Sequence, residues 1–326
     1  MKDIMQEILS HFPSISFAFA YGSGVFAQRG NVSSENMLDF VFVVDNPYEW
    51  HKENLRMNPR HYSLLGALGP GALVKLQDMF GAGVYYNTLV DCGGRLIKYG
   101  VISVENFQLD MIHWKWLYIS GRLHKPVRIV QNLNETKIQT LLESNLFSAL
   151  NTALLCLPEK FSEQDLYLAI AGLSYAGDFR MLVGEDKNKV KNIVIPNMKK
   201  FRDLYGPVIS TSKVIHSRST SSLLEQSMSH DQTCKLLKTL PQTLMSRILR
   251  YSFGSLTSEP PLEEALLNIA KERHKCSKLV SRSVSSIVGY SSVTQSLKGI
   301  LTAGVIKTCF YSGKKLKKMF RGFFRS

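Results

Sequence analysis

The sequence predicts an α/β amino-terminal half followed by a mainly helical second half, and three observations carry that prediction. Short apolar runs rich in Val, Ile, Phe and Tyr alternate with helix-period stretches as far as Pro126, and long helix-period stretches dominate after it. Residues 273–326 then carry twelve Lys or Arg and no Asp or Glu. At 326 residues and 44% hydrophobic, the chain is long and apolar enough for two real cores, which excludes a disordered or fibrous protein.

Taken in order, Ile4, Met5, Ile8, Leu9 and Phe12 recur on one face of an amino-terminal helix. Lys2 is the only Lys or Arg there, beside Asp3 and Glu7, which is not the arginine-rich, acid-poor pattern of a transit peptide. A strand at 15–20 leads into the turn Tyr21-Gly22-Ser23-Gly24, a polar loop at 28–36 and a second strand at 38–44. Asn46 followed by Pro47 predicts a helix start, with Asn as the cap and Pro at the first helical position. A glycine-rich passage at 66–83 carries a short helix at 73–80. Strands at 84–90 and 95–102 flank Asp91-Cys92-Gly93-Gly94, a hairpin turn in composition, and a helix at 104–118 closes the half. Further helices are expected at 136–155, 162–174, 199–205, 229–250 and 262–271, with the Ser- and Thr-rich 210–222 as a surface loop. The implied division is 1–130, 131–272 and a basic tail at 273–326.

Of the formal net charge of +14, +12 resides in that tail, because residues 1–272 carry 28 basic against 26 acidic residues. A phosphate-backbone binder usually spreads its charge over the body, so a nucleic-acid partner is not expected. Five widely spaced cysteines, with no CxxC pair and no His/Cys cluster, point to a reducing compartment without structural zinc. No run approaches the roughly 20 apolar residues that span a bilayer, so any membrane contact is peripheral.

A strand that ends in Gly-Ser can turn its backbone N–H groups toward an anion, since glycine does not bar close approach and serine adds a hydroxyl. Tyr21, Gly22, Ser23 and Gly24 are therefore a candidate phosphate seat. The pattern resembles the polymerase-β-like nucleotidyltransferases, in which a carboxylate on the next strand holds the magnesium of a nucleoside triphosphate, and Asp39 stands in that order. Longer passages are more specific. LDFVFVVDNPYEWHKENLRMNPRHYS (38–63), GAGVYYNTLV (81–90), GRLIKYGVIS (94–103), LYISGRLHKPV (117–127) and AGLSYAGDFRMLVGEDKNKV (171–190) together resemble the mitochondrial CDP-diacylglycerol synthases. These are the phosphatidate cytidylyltransferases, also called the translocator assembly and maintenance family.

The resemblance implies a nucleotidyltransferase-fold catalytic domain with a mixed sheet, a mainly helical domain with a winged-helix-like arrangement as one expectation, and a cleft between them. It implies CTP and phosphatidate as substrates, magnesium as cofactor, and the matrix face of the mitochondrial inner membrane as location. Phosphatidate has a second pKa near 6, so its attacking oxygen is mostly deprotonated already and the protein must supply charge compensation and alignment. Asp39 is the first candidate metal ligand. Val41 stands where the wider superfamily has a second carboxylate, and Asp45 lies about 20 Å along the extended strand. The second ligand is therefore expected from Asp178 or Asp91, with Asp178 preferred; pairing with Arg180 is its purely structural alternative. Lys98 and Tyr99 are expected at the triphosphate, as is Arg180. His61, Ser63 and Lys187 are weaker candidates, and Trp114, Trp116 and Tyr118 read as core and surface of one helix rather than as a base-stacking platform.

Residues 314–325, drawn as a helix, separate completely. Met319, Phe320, Phe323 and Phe324 lie with Leu316 on one side; Lys314, Lys315, Lys317, Lys318, Arg321 and Arg325 lie on the other. Such a helix is suited to the interface of an anionic membrane. The Gly-Ser turn and Asp39 also fit a nucleotidyltransferase acting on RNA or protein, and Val41 leaves room for a non-catalytic nucleotide-binding module.

Overall fold

The computed structural model describes residues 2–26, 28, 37–183, 187–212, 214–217, 223–254 and 260–303. The amino-terminal half opens with helix α1 (Lys2–Ser10), which buries Met5, Ile8 and Leu9 but leaves Ile4 exposed. Strands β1 (Phe17–Tyr21) and β2 (Leu38–Val44) follow, and Asn46 caps α2 (Pro47–Met57) by accepting from the N–H groups of Tyr48 and Glu49, as its place before proline predicts. Helix α3 (Gly69–Met79) starts earlier than expected, with a proline in its first turn. The hairpin β3 (Val84–Cys92) and β4 (Arg95–Ser103) leads into α4 (Val104–His113) and the short α5 (Ser120–Leu123). Strand β5 (Arg128–Asn132) completes a five-stranded mixed sheet in the order β3-β4-β2-β1-β5, in which only β2 and β4 run parallel.

Alternation along the strands divides the core between two faces. Ala18, Ala20, Phe40, Phe42, Ile97, Tyr99 and Val101 pack behind the sheet with Phe12 and Trp50. Phe17, Phe19, Val41, Val43, Val84, Tyr86 and Ile102 pack in front with Phe107, Met111 and Ile119.

The helix expected to run to Tyr118 stops at His113, because Trp114 takes a left-handed conformation with φ of 52°. The cause is Asp110. Its buried carboxylate accepts from the backbone N–H groups of Trp116, Tyr118, Ile119 and Ser120 and from the Ser120 hydroxyl, which folds the chain back over the helix end. Trp114 and Trp116 are both buried beyond the helix end, where core and surface of one continuous helix had been expected.

The second half contains α6 (Glu135–Cys156), β6 (Lys160–Ser162), α7 (Glu163–Leu173), α8 (Arg180–Val183), α9 (Lys189–Val194) and α10 (Met198–Ser212). Two short strands come next, β7 (Ile215–Ser217) and β8 (Leu223–Gln226), and form a three-stranded sheet with β6 in the order β6-β8-β7. The stretch expected to be a surface loop thus supplies the end of a helix and a strand. One helix was expected over 229–250; two form, α11 (His230–Lys238) and α12 (Gln242–Phe253). Pro241 divides them, since proline offers no N–H and disfavours helical geometry in the residue before it. Helix α13 (Leu262–Ala270) follows the expected bounds.

The expected boundary at residue 273 does not describe the packing. Helix α14 (Arg273–Ala303) buries Cys276, Val280, Val284, Ile287 and Val288 in the core of the helical half. It then reaches the amino-terminal half, where Gln295 accepts from the N–H of Ala82 and Lys298 donates to the Gln77 carbonyl at 2.7 Å. The first thirty residues of the basic segment are therefore a structural element that ties the two halves together. The basic amphipathic stretch at 314–325 lies outside the described residues.

Candidate active site

Three neighbouring strands place three predicted residues in one register row. Tyr21 at the end of β1 is opposite Asp39 at the start of β2, and Asp39 is beside Lys98, the fourth residue of β4. Because β1 is antiparallel to β2 while β4 is parallel to it, the Gly-Ser turn, the carboxylate and the lysine all meet at one end of the sheet. Alternation puts all three side chains on its front face.

The turn follows directly from Tyr21. Gly22 has φ of +83°, and its carbonyl accepts from the N–H groups of Val25 and Phe26. A Cβ at that position would lie 3.2 Å from Asp39 Oδ2. Glycine is thus required twice over, for the backbone conformation and for the approach of the carboxylate to the turn. Ser23 and Gly24 continue the same turn.

Tyrosines and cations line the front of this row. Lys98 Nζ lies 4.5 Å from the centre of the Tyr86 ring, and the Tyr86 and Tyr118 rings are 6.5 Å apart. The Arg122 guanidinium stacks over Tyr118 at 3.9 Å, faces Tyr21 at 5.2 Å and donates to the Tyr118 carbonyl at 2.6 Å. Burial opposes ionisation of Tyr118, but the positive charges of Arg122, Lys98 and Arg180 outweigh it and hold the phenol below its ordinary value. Lys98, Arg122 and Arg180 therefore all act on Tyr118 in front of the sheet.

Asp178 and Arg180 pair with each other. Arg180 Nε reaches both carboxylate oxygens at 2.9 and 3.1 Å, and Arg180 also donates its backbone N–H to Asp178 Oδ1 at 3.0 Å. This is the structural alternative to metal ligation: both oxygens of the buried carboxylate are committed to the guanidinium. Asp91 is exposed and closes the β3–β4 hairpin by accepting from the Gly94 N–H at 2.9 Å.

Tyr99 departs from the expected nucleotide-binding set. It is fully buried behind the sheet, where its hydroxyl accepts from Asn54 at 3.0 Å and Asn87 at 2.8 Å and meets His61 Nδ1 at 3.1 Å. Strand alternation explains the correction, since the residue after a front-facing lysine must point backward. The same network accounts for His61, and Ser63 accepts from the Leu65 N–H in a short helical turn. Lys187 is exposed.

Tyr86, Arg122 and Lys125 are not singled out by sequence reasoning, and Tyr118 is weighed there only beside the two tryptophans. The signal that was available is an arginine within Leu117–Leu123, an otherwise apolar or small-residue run. Its meaning depends on the fold-back around Asp110, which sequence periodicity does not reveal.

Hard oxygen at Asp39, tyrosine rings and several cations around a glycine turn make a site fit to hold a polyanion with a divalent ion. Comparison with known proteins gives the family. A family model described as "Phosphatidate cytidylyltransferase, mitochondrial" matches residues 5–318. A Xenopus laevis protein of that name is 48% identical over 97% of this chain and 94% of its own length. Its namesake from Bos taurus is 48% identical over 98% and 95%. The Caenorhabditis elegans relative, of the same name, is 39% identical over 98% and 99%. With its glycine turn, its row of Tyr21, Asp39 and Lys98 and a match along almost its whole length, this chain belongs to the mitochondrial phosphatidate cytidylyltransferase family.

Proposed function

We propose that the protein makes CDP-diacylglycerol and pyrophosphate from CTP and phosphatidate, with magnesium, at the surface of an anionic membrane. The register row of Tyr21, Asp39 and Lys98 beside the Gly22 turn carries this reading. The turn and Lys98 take the triphosphate. Asp39 is the residue that would hold magnesium, which supplies charge neutralisation of the phosphates when bound.

The reaction joins two anions. An oxygen of the phosphatidate phosphate forms a bond to the α-phosphorus of CTP, while the bond from that phosphorus to the bridging oxygen breaks and its electron pair leaves with pyrophosphate. The attacking oxygen needs no strong base near neutral pH, so the residues act by position and charge. Arg122, fixed by Tyr118 and Tyr21, and Arg180, fixed by Asp178, are oriented cations for the phosphates. In this role Asp178 positions Arg180 rather than ligating the metal.

The names of the relatives support a mitochondrial location, the family resemblance is what suggests the matrix face of the inner membrane, and the basic carboxy-terminal stretch supports peripheral contact with an anionic surface. Among the described residues no helix is long and apolar enough to cross a membrane. The test supplies each labelled nucleoside triphosphate with magnesium and either phosphatidate vesicles or RNA. Lipid-soluble cytidylate formed with CTP alone is the expected result, and labelled RNA would overturn the reading. Removal of residues 314–326 is expected to abolish sedimentation with cardiolipin-containing vesicles while CTP binding survives.

A further inference from the structure

The cations in front of the sheet fall into two groups. One lies at the glycine turn and includes Lys98. The other lies where the amino-terminal half meets the helical half and centres on Lys125, three residues after Arg122. The junction is built closely: a Cβ at Gly121 would lie 2.6 Å from Ser174 Cβ, so only glycine lets α5 approach the end of α7. That approach brings Lys125 Nζ to the Ser174 hydroxyl at 2.6 Å and to the Gly121 carbonyl, with the Tyr175 ring centred 5.0 Å away.

These contacts do not neutralise the charge. An ammonium has three donors, and both described acceptors of Lys125 are neutral. The charged groups that act on it are Arg122 and Lys189, both cations; with burial as the larger cause, they push Lys125 down to about 7. A partly buried cation among cations, with a hydroxyl at its side, is suited to receive a dianion.

We propose that Lys125 and Ser174, backed by Arg122, form the seat of the acceptor's phosphomonoester, separate from the triphosphate seat at Gly22, Ser23 and Lys98. The proposal rests on the function proposed above. In-line transfer requires the attacking phosphate to lie on the far side of the α-phosphorus from the leaving pyrophosphate. Arg122 faces Tyr21 on the nucleotide side and precedes Lys125 by one helical turn on the other, so it stands between the two seats.

The full chain is assayed with CTP and a soluble short-chain phosphatidate. Lys125→Met is expected to raise KM for phosphatidate by about tenfold or more while KM for CTP stays within about twofold, and Lys125→Arg to recover part of the loss. Ser174→Ala should shift the same constant by a few fold, and it decides the matter if Lys125→Met fails to fold. Inorganic phosphate should compete with phosphatidate and not with CTP, which assigns the seat to the phosphate group rather than to the acyl chains. Its binding, read by calorimetry without turnover, should be lost in Lys125→Met. Equal rises in both KM values, or undiminished phosphate binding by the variant, would overturn the proposal. A wild-type protein that makes no cytidylated lipid would strike the proposed function instead and leave phosphate calorimetry to judge the seat.

Discussion

The front and back of the five-stranded sheet solve opposite problems with adjacent residues. Behind it, Tyr99 joins Asn54, Asn87 and His61, and Asn54 continues through Tyr62 to His51 and Gln77. Burial holds Tyr99, Tyr62 and His51 neutral, and these groups bond mainly to one another. In front, Lys98, Arg122, Lys125 and Arg180 accumulate positive charge against Asp39 and Asp178. The first arrangement draws its partners from within the protein, although Gln77 Nε2 and Asn87 Oδ1 stay without one, and it serves stability. On the proposed function, the second gathers positive charge that the phosphates of the substrates would offset.

The comparison is tested most severely at Asp39. Asp39→Asn keeps the shape beside Gly22 but removes the negative charge, and should lower turnover by about 100-fold or more with little change in denaturant midpoint. Near-normal turnover at low magnesium would remove Asp39 from the metal role. Lys98→Met should follow, with a loss of about 10- to 100-fold in kcat/KM for CTP and a smaller loss for phosphatidate. An equal loss for both substrates would make Lys98 a structural residue and blur the contrast between the faces.

The neighbouring residue should behave the other way. Tyr99→Phe leaves the buried amides of Asn54 and Asn87 without their shared acceptor, costing about 2 kcal/mol in equilibrium unfolding while kcat/KM at permissive temperature stays near the wild-type value. A selective loss of CTP use would return Tyr99 to the nucleotide site.

The smallest effect is a pH dependence of the back face. Burial lowers His51 from 6.5 to about 4, with the Gln77 hydrogen bond opposing in part. Above pH 6.5 the imidazole is neutral in both folded and unfolded chains. As pH falls from 6.5 toward 4 the unfolded chain takes the proton first, so stability should drop by about 1.4 kcal/mol per pH unit from this group. Denaturation at pH 7 and pH 5 should show the drop, and His51→Gln should flatten it.

Local chemistry made much of the fold legible. Strand β2 and the cap at Asn46 were readable to the residue, because alternation and capping depend on near neighbours. Pro241 also offered a readable break within 229–250. The turn at Trp114 did not, since a left-handed tryptophan is tolerated only where the Asp110 carboxylate gathers four backbone N–H groups around the helix end. Helix α14 was hidden for a related reason: its charge resembles a solvated tail, while Gln295 and Lys298 are buried by segments more than 200 residues away.

By itself, the sequence determined the alternation that sends Lys98 and Tyr99 to opposite faces, and the order in which a glycine turn precedes a carboxylate. Those properties follow from the period of a strand and the lack of a Cβ. Only the tertiary structure decided that Tyr21, Asp39 and Lys98 would share a row, and that Arg122 would stand over Tyr21. Register across strands and the docking of α5 depend on contacts between distant segments, which periodicity along one segment does not encode.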